Sequence, residues 1–527
     1  MFSKVNSIGL IGFKAEIVEV EVDLSQGLPR FEIVGLPNSS VSEAKERVRS
    51  AIKNCGLSFP ISRITVNLAP ADFRKDGSSY DLPILIGILL SSNQIDTRIK
   101  KALNSSVFLG EVSLNGEIRR VNGVLPMIIH AKECGMNSIF IPQENLKEAM
   151  LIQGIKIYPL NNISELIKHF SEESLIEPII PTLSDFKRLI SLAPERKYNI
   201  DFSDVIGQSA AKRALEIAAS GGHNILMIGS PGSGKSMLAK RLITILPDMS
   251  YEEIIDITSI YSVAGELTSS QPIITHRPFR SPHHSVSMPA LIGGGFKARP
   301  GEVSLAHTGV LFLDELPYFS STGLESLRQP LEEGKITIVR NAYSATYPAN
   351  IILVAAMNPC PCGYLLDPTK QCTCSDSQRE KYLSKISGPL FDRMDIVVQL
   401  DTVNCDEIIK ASQEQSTEGN SPSIETSLDI RKRVNNAREI QKERFKNFGI
   451  TCNSQMSPKL IKLFCPLDND SKELLISAYK RLGLSARAYD KIIRTARTIA
   501  DLDGSESILK SHILEAIQYR TLDRTIK

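Results

Sequence analysis

The sequence predicts an α/β multidomain protein, and three observations lead to this fold class. A chain of 527 residues is too long for one hydrophobic core and should divide into roughly two to four domains. Strand-like and helical patterns are mixed over residues 1–165, which predicts an α+β domain. Strands alternate with helices and glycine-rich loops over 201–400, as a parallel sheet requires. A linker is expected at 166–200, and 401–527 reads as a helical C-terminal region.

Composition is that of an ordinary soluble globular protein, with 42% hydrophobic and 23% charged residues. A net charge of +2 means that nucleic acid would have to bind to local basic clusters. The N-terminal apolar run is broken by Lys14 and Glu16, and "LPILIGILL" falls short of the roughly 18 residues of a membrane span. Nine cysteines, an odd number, argue against a disulfide framework. We therefore expect a cytoplasmic protein without a membrane partner.

Several segments of the N-terminal region have recognisable secondary-structure patterns. "AEIVEVEVDL", "FEIVGL" and "RITVNLAP" have the alternation or β-branched runs of strands. "SSVSEAKERVRSAIKNCG" predicts a helix that starts at capping serines and ends at Gly56, and "GVLPMIIHAKECG" predicts another.

The most specific motif is "ILMIGSPGSGKSMLAKRL", in which an apolar strand runs into a glycine-rich loop and then a helix. In such a loop, backbone N–H groups surround phosphates, Lys235 reaches the β- and γ-oxygens, and the Ser236 hydroxyl ligates Mg²⁺. The motif predicts ATP and Mg²⁺ as cofactors. The residues predicted to contact the nucleotide are Gly229, Ser230, Pro231, Gly232, Ser233, Gly234, Lys235, Ser236 and Met237.

A second motif, "GVLFLDELP", places two carboxylates at the end of a buried strand. Asp314 is expected to hold Mg²⁺ together with Ser236, and Glu315 to orient or deprotonate the attacking water. An acidic pair at a strand end is often only a solvated turn, but beside a phosphate-binding loop the catalytic interpretation is favoured.

Two further polar residues that could act at the nucleotide follow along the chain. "NIILVAAMNP" predicts a buried strand that ends at Asn358, which could contact the γ-phosphate or the water. "SGPLFDRMD" contains Arg393, predicted on a short helix and suited to neutralise charge at a neighbouring subunit's ATP. The alternative for Arg393 is a surface ion pair with Asp392 or Asp395.

The order of these motifs resembles that of the AAA+ ATPases, which usually act as rings, commonly hexamers. "GLSARAYDKIIRTARTIADL" then places Arg487 at the start of a helix, where that class has its second sensor arginine. "FRSPHHSVSMPALIGGG", "MNPCPCG" and "SGPLFDRMD" further resemble the magnesium-chelatase-like ATPases of the YifB/ComM family. The resemblance implies a hexameric DNA helicase that promotes branch migration in natural transformation or recombination. It also implies a ribosomal S5/Lon-protease-like N-terminal domain and a helical AAA+ lid.

The Lon-like segment "FRKDGSSYDLP" places Ser79 where a Lon-type protease has its serine. Such a nucleophile needs a lysine nearby as general base. The corresponding segment "LGEVSLNGEIRRVNGVLPMII" has Leu125 or Pro126 where the lysine should be, and Lys132 lies about two turns further on. We therefore expect this domain to be non-proteolytic and to serve as a docking platform for protein or DNA.

Two segments are candidates for contact with DNA. "KITIVR" and "SATYP", joined by Asn341-Ala342, predict a β-hairpin whose Lys335, Arg340 and Tyr343 could grip a phosphate backbone. The alternative is a charged hairpin that only faces solvent. "RSPHHSVSMPALIGGGFKARPGE" is predicted to be a pore or subunit-contact loop, and its adjacent histidines make a poor metal pair.

Four cysteines lie close together in "CPCGYLLDPTKQCTC". Cys360, Cys362, Cys372 and Cys374 could supply four thiolates to a tetrahedral Zn²⁺. The Cys-x-Cys spacing is tighter than usual, and a reduced loop whose sulfurs merely pack is the alternative.

The preferred function is therefore that of a ring-forming ATPase that moves on DNA. Its partners would be copies of itself and single-stranded or branched DNA. The alternative is a chelatase-type motor that remodels a partner protein, and an ATP-dependent Lon-like protease is the weakest candidate.

Overall fold

The computed structural model describes most of the chain. The described ranges are 1–95, 103–192, 199–295, 298–340, 343–367, 370–401, 425–482 and 485–521. The predicted turn Asn341-Ala342 lies outside these ranges, and the side chains of Arg340 and Tyr343 are also outside the description.

The N-terminal part is built on a seven-stranded mixed sheet in the order β3-β4-β2-β1-β5-β8-β9. Strands β1, β2 and β4 pair antiparallel, whereas β5, β8 and β9 continue the sheet in parallel from β1. A short antiparallel pair, β6 and β7, lies beside it. The strands are β1 Phe2–Ile11, β2 Lys14–Ser25, β3 Arg30–Val34, β4 Arg63–Ala69, β5 Ser106–Phe108, β6 Glu111–Val112, β7 Ile118–Arg119, β8 Ser138–Pro142 and β9 Lys156–Leu160.

Helices cover this sheet and bury their apolar side chains against it. Every residue of the helix Asp81–Ser91 is buried, as its continuous apolar sequence predicts. The helix predicted over 39–56 is broken at Glu43, and Asn38 caps its first turn. The helices and 3₁₀ turns are Ser39–Ser42, Ala44–Asn54, Asp81–Ser91, Val124–Glu133, Gln143–Asn145, Leu146–Ala149, Ile163–Phe170 and Leu183–Leu192.

The central part contains a five-stranded, entirely parallel sheet in the order β11-β14-β17-β10-β18. Strand β10, which leads into the glycine-rich loop, lies between β17 and β18, so β17 separates it from β14. Two small antiparallel pairs, β12–β13 and β15–β16, also belong to this part. The strands are β10 Ile225–Gly229, β11 Phe279–Arg280, β12 Gly293–Gly294, β13 Arg299–Pro300, β14 Val310–Leu313, β15 Lys335–Arg340, β16 Tyr343–Pro348, β17 Ile352–Met357 and β18 Ile396–Leu400.

Helices flank the parallel sheet and then make up the whole described C-terminal part. Central helices and turns are Phe202–Asp204, Ser209–Gly221, Lys235–Ile245, Tyr251–Ala264, Met288–Ile292, Glu302–Leu305, Leu316–Tyr318, Ser321–Ser326, Arg328–Glu333, Asp376–Leu383 and Gly388–Phe391. C-terminal ones are Ser427–Phe445, Asn453–Gln455, Pro458–Phe464, Asn469–Leu482, Ala486–Leu502 and Lys510–Gln518.

The parts share buried cores. Side chains of β10, β17 and β18 pack in one apolar cluster with those of the C-terminal helices. The helix Tyr251–Ala264 packs on the N-terminal part, where the Ser262 hydroxyl donates to the buried Glu148 carboxylate at 2.7 Å. Among the described residues, no helix combines the length and apolarity needed to cross a membrane.

Candidate nucleotide site and its neighbouring arginines

The glycine-rich loop has the conformation that its sequence predicts. Strand β10 ends at Gly229, and the helix Lys235–Ile245 begins directly after Gly234. Gly234 has φ +89°, a left-handed conformation that favours glycine, and a Cβ there would meet no other atom. Glycine is therefore needed for its backbone angle rather than for space. The helix N-terminus points its unpaired N–H groups into the loop, where an anion would be stabilised.

Lys235 is buried at the centre of the loop, with only 9% of its surface exposed. Its ammonium donates to the carbonyls of Gly229 at 2.8 Å and Ser230 at 2.9 Å, and to Oδ1 of Asn358 at 3.2 Å. Burial lowers the pKa of this ammonium from its ordinary value, and the Asp314 carboxylate opposes that shift. The contact with Asn358 follows from the strand order, because β17 lies directly beside β10.

Ser236 and Asp314 form the predicted metal-binding pair. The Ser236 hydroxyl donates to Oδ2 of Asp314 at 2.6 Å, although the two residues come from different elements. A hydroxyl and a carboxylate are oxygen donors of the kind that Mg²⁺ accepts together with water and phosphate oxygens. The two residues therefore fit Mg²⁺.

Glu315 follows Asp314 in a strained backbone conformation. Its φ is +54°, which is uncommon for a residue other than glycine, and its N–H donates to Oδ1 of Asp314 at 3.0 Å. The Glu315 side chain is 55% exposed, and Nδ1 of His284 lies 3.6 Å from its Oε2. The histidine comes from the segment predicted to be a pore or subunit-contact loop.

Arg393 forms an ion pair with Glu332, a partner that its sequence neighbours do not suggest. It lies just after the helix Gly388–Phe391 rather than on it, and its guanidinium donates to the Pro389 carbonyl and pairs with Glu332. Asp395, one of the expected partners, is instead paired with the ammonium of Lys491 at 3.0 Å.

Arg393 and Arg487 line the same cavity of about 690 Å³ between the central part and the C-terminal helices. Lys491 and Arg494 lie there as well, and none of the loop residues 229–237 does. Arg487 is exposed at the start of the helix Ala486–Leu502, which Ser485 caps. The two predicted arginines are therefore together, but they do not face the phosphate-binding loop of their own chain.

The predicted hairpin is present as β15 and β16, paired antiparallel from Lys335↔Pro348 to Arg340↔Tyr343. Lys335 is exposed, and its ammonium lies 3.8 Å from a Glu333 carboxylate oxygen. At the base of the hairpin, the Tyr347 hydroxyl donates to the Ala298 carbonyl at 2.7 Å. The hairpin is therefore anchored on the inserted segment that carries His284.

The four clustered cysteines bring their sulfurs together. Sγ–Sγ distances are 3.3 Å for Cys360–Cys362, 3.7 Å for Cys360–Cys372 and 3.6 Å for Cys362–Cys372, and all four lie within 4.8 Å of one another. A tetrahedral Zn²⁺ with bonds of about 2.3 Å requires edges of about 3.8 Å. The Cys362 N–H also donates to Sγ of Cys374. Four thiols in this arrangement fit Zn²⁺.

The cysteine loop touches the phosphate-binding loop. A Cβ on Gly363 would lie 2.5 Å from Cδ of Pro231 and 3.7 Å from Nδ2 of Asn358. Only glycine allows this approach, so the position of Pro231 depends on how the cysteine loop is held.

Ser79 lines a cavity of about 480 Å³ that the N-terminal part shares with Val263 and Arg299 of the central part. Among the described residues, neither lysine nor histidine lines this cavity. The nearest lysine in sequence, Lys75, is buried and donates to the Pro70 and Phe73 carbonyls. Leu125, one counterpart of the Lon lysine, is buried in the helix Val124–Glu133.

Sequence reasoning missed three contacts at these sites. It did not pair His284 with Glu315 or Glu332 with Arg393, because each pair joins segments far apart in sequence. It also passed over Gln208, whose amide donates to the Asp401 carbonyl at 2.6 Å and the Ser233 carbonyl at 3.4 Å. These contacts also join residues that are far apart along the chain.

The fold and the site together define a class of protein. A parallel sheet in which the Asn358 strand separates the phosphate-binding strand from the Asp314 strand is the arrangement of the AAA+ P-loop ATPases. Family models agree: "Magnesium chelatase, subunit ChlI" matches residues 201–408, "Subunit ChlI of Mg-chelatase" 20–145, and "Magnesium chelatase, subunit ChlI C-terminal" 424–520.

Several relatives match nearly the whole chain, including the following two. Competence protein ComM of Haemophilus influenzae is 40% identical over 98% of this chain and 97% of its own length. The uncharacterized protein YifB of Escherichia coli is 39% identical over 99% and 98%. The chain therefore belongs to the YifB/ComM family of magnesium-chelatase-like AAA+ proteins. Membership suggests an ATPase motor that acts as an oligomeric assembly. A shorter match, 28% identical over 33% of the chain, is to Lon protease 2 of Bacillus subtilis.

Lys235→Ala is expected to weaken ATP binding roughly tenfold to hundredfold, because a charge-assisted contact to phosphate is lost. Equilibrium binding of a fluorescent ATP analogue measures this. Lys240→Ala is the matched control, since Lys240 is exposed on the same helix and should bind as the unchanged protein does. Equal affinity of the two variants would contradict the assignment of Lys235.

Proposed function

We propose that this protein is a ring-forming ATPase that acts on DNA, as a hexameric helicase promoting branch migration in natural transformation or recombination. The observation that carries the proposal is the separation of the catalytic groups. Lys235, Asp314 and Asn358 meet at one edge of the sheet, whereas Arg393 and Arg487 line a separate cavity. A site of this kind is complete only when another copy supplies the arginines.

In this proposal each side chain at the sheet edge has its own role. Lys235 turns its ammonium from the loop carbonyls to the β- and γ-phosphates, and Ser236 and Asp314 hold the metal. When bound, Mg²⁺ neutralises charge on the transferred phosphate. Glu315 orients the attacking water and accepts its proton, and Asn358 fixes the γ-phosphate or the water. The exposure of the Glu315 carboxylate supports this role, because the water must reach it.

The arginines would act on a neighbour's nucleotide. Arg393 is held by Glu332 within its own chain, so it must exchange this carboxylate for the γ-phosphate of the adjacent subunit. Arg487 carries no described ion pair or hydrogen bond and shares the cavity, which supports the same role for it. We also propose the division into domains at 1–165, 166–200, 201–400 and 401–527.

DNA would be gripped by the hairpin β15–β16. Lys335 is exposed at its base, and Arg340 and Tyr343 stand at its tip end by register. Such contacts neutralise phosphates without reading sequence. The relative ComM of Haemophilus influenzae is a competence protein, which favours a substrate met during DNA uptake. The N-terminal domain would serve as a docking platform without protease activity, because no lysine lines the described cavity at Ser79.

The alternative is a chelatase-type motor that remodels a partner protein, which the matched chelatase family models favour. It predicts ATPase activity that responds to a partner protein and not to DNA. A Lon-like protease is a third and weaker alternative, and would degrade casein in a manner abolished by Ser79→Ala.

We further propose that Cys360, Cys362, Cys372 and Cys374 bind Zn²⁺. The sulfur distances and the free state of the described cysteines support it. Because Gly363 of the same loop packs on Pro231, the metal would hold the phosphate-binding loop in place.

Purified protein is expected to hydrolyse ATP faster with DNA, and most with a four-way junction. The measurement compares ATPase activity without DNA, with single strands, with duplex and with the junction.

Lys335→Ala should reduce the slope of log DNA affinity against log salt concentration by about 1, because one phosphate contact is lost. Lys240→Ala should leave the slope unchanged. Indifference to every DNA at low salt would contradict the proposal.

Arg393→Ala and Glu315→Gln are each expected to abolish turnover, whereas mixed rings of the two should regain part of it. In a mixed ring, an intact Glu315 can face an intact Arg393 of the other variant across an interface. Activity is measured after mixing the subunits at varied ratios. A mixture of Glu315→Gln with Lys235→Ala is the control, since both changes fall on the same half of the site. A mixture no more active than its parts would contradict the role in trans.

About one zinc ion per chain is expected in protein purified without chelator, measured by elemental analysis. Cys372→Ser should lose the zinc and weaken ATP binding, because the loop that supports Pro231 is released. Cys134→Ser is the matched control, since Cys134 is exposed and outside the cluster. Retention of a full zinc complement by Cys372→Ser would contradict the assignment.

A further inference from the structure

The backbone that presents Arg393 is held from two sides. It leads directly into β18, and Asn224, which precedes β10, contacts it from the side of the sheet. The Asn224 side-chain amide donates to the Arg393 carbonyl at 3.2 Å, and the Asn224 N–H donates to Oδ2 of Asp395 at 3.0 Å. From the C-terminal end of the chain, the Arg520 guanidinium donates to the Met394 carbonyl. Hydrogen bonds from the sheet and from the C-terminal part therefore fix the position of this backbone.

Lys491 adds a second contact from the C-terminal part. It lies on the helix Ala486–Leu502, and its ammonium lies 3.0 Å from Oδ1 of Asp395 and donates to the Met394 carbonyl at 3.1 Å. Asp395 and Lys491 are both buried, with 7% and 9% of their surfaces exposed. One lysine of the C-terminal helices therefore bonds to both of the residues that follow Arg393.

Both members of this pair are charged at neutral pH. Burial lowers the pKa of the Lys491 ammonium to about 8, and the Asp395 carboxylate opposes that shift. Burial alone would raise the pKa of Asp395, but Lys491 and His223 outweigh it and hold this pKa well below its usual range. The pair is therefore a buried ion pair in which each charge depends on the other.

Stability alone does not explain an ion pair at this place. Apolar side chains of similar volume often stabilise a protein as well or better, because no charge has to lose its hydration. An ion pair adds direction, since an ammonium and the oxygens that accept from it are held at a defined distance and angle. What this direction fixes here is the position of Arg393 relative to the helix that carries Lys491.

Arg487 lies on that same helix, one turn before Lys491. Side chains four residues apart lie on one face of an α-helix, and both of these residues line the cavity that Arg393 also lines. Arg487 is exposed, whereas Lys491 is buried against the residues that follow Arg393. A shift of the helix at Lys491 would therefore change the distance between the two arginines.

We propose that Lys491 is a positioning residue that holds Arg393 and Arg487 as one rigid unit, so that both reach a neighbouring subunit's nucleotide together. This inference rests on the proposed role of the two arginines in trans. Lys491 contacts neither nucleotide nor metal in this proposal, and it serves the half of the site that lacks Lys235. Its loss should therefore lower turnover at the neighbouring subunit and leave ATP binding by its own loop unchanged.

The first test is steady-state ATPase kinetics of the full chain. Lys491→Met should lower kcat roughly tenfold to hundredfold, because a displaced arginine loses much of its effect on the transferred phosphate. Its affinity for a fluorescent ATP analogue should stay within about twofold of that of the unchanged protein. Lys480→Met is the matched control, since Lys480 is exposed on the helix Asn469–Leu482, and it should leave both quantities unchanged. An unchanged kcat for Lys491→Met, or a lost affinity for ATP, would overturn the proposal.

Mixed rings decide which half of the site Lys491 serves. Lys491→Met mixed with Glu315→Gln should regain turnover, because the second variant supplies intact arginines and the first an intact Glu315. Lys491→Met mixed with Arg393→Ala should stay at the activity of its parts, since both changes fall on the half that carries the arginines. A purely structural defect would leave both mixtures inactive, and a defect in the chain's own loop would reverse the two results. Either outcome would overturn the proposal.

A second variant covers the case in which Lys491→Met fails to fold because it leaves the Asp395 charge buried without a partner. Asp395→Asn with Lys491→Met leaves neither charge unpaired, and the amide oxygen can still accept from the Asn224 N–H. The double variant should show the same loss of kcat and the same pattern in mixed rings. Full turnover by the double variant, or failure of both variants to fold, would overturn the proposal.

Failure of the proposed function is recognised separately. The mixture of Arg393→Ala with Glu315→Gln would then regain no turnover. If only the role of Lys491 is wrong, that mixture regains turnover and the mixture of Lys491→Met with Glu315→Gln does not.

Discussion

The buried ammonium of Lys235 is the constraint on which the rest of the site depends. Its described hydrogen bonds are all to neutral oxygens, those of Gly229, Ser230 and Asn358 foremost. A buried cation is costly unless it is paired, and carbonyl dipoles stabilise it only in part. The lowered pKa of Lys235 has the same cause. An anion bound in the loop would therefore compensate the charge of the Lys235 ammonium. It would also accept hydrogen bonds from the N–H groups at the N-terminus of the helix that follows the loop.

The strand order places further polar side chains beside the Lys235 loop. With β17 between β10 and β14, the ends of three strands bring an amine, an amide and two carboxylates to one edge of the sheet. The same order leaves the arginines elsewhere, since Arg393 precedes β18 on the far side of β10 and Arg487 begins a C-terminal helix. An arginine supplied by a neighbouring subunit can stabilise the charge that develops when the γ-phosphate is transferred. Assembly of several copies is therefore the simplest way for this chain to complete its site.

Local patterns in the sequence were enough for the phosphate-binding loop, the strand ending at Asp314 and the hairpin, since each depends on neighbours along the chain. The cysteine cluster could also be predicted, because all four residues lie in one short loop. The partners of Arg393 and Glu315 could not, because Glu332 and His284 reach them only after the sheet has formed. The same holds for Gly363, whose importance depends on Pro231 lying against it. The roles assigned to the site residues stay predictions until turnover is measured.

The N-terminal part bears on the hairpin as well as on Ser79. The turn between β1 and β2 places Phe13 edge-on against Tyr347, with ring centroids 6.0 Å apart. Tyr347 is the residue that also bonds Ala298, so the N-terminal sheet, the hairpin and the His284 segment meet at one buried side chain. A domain in this position has a mechanical reason to be retained even if its serine has no base. Through Phe13 it supports the base of the hairpin, which the inserted segment also holds through Ala298.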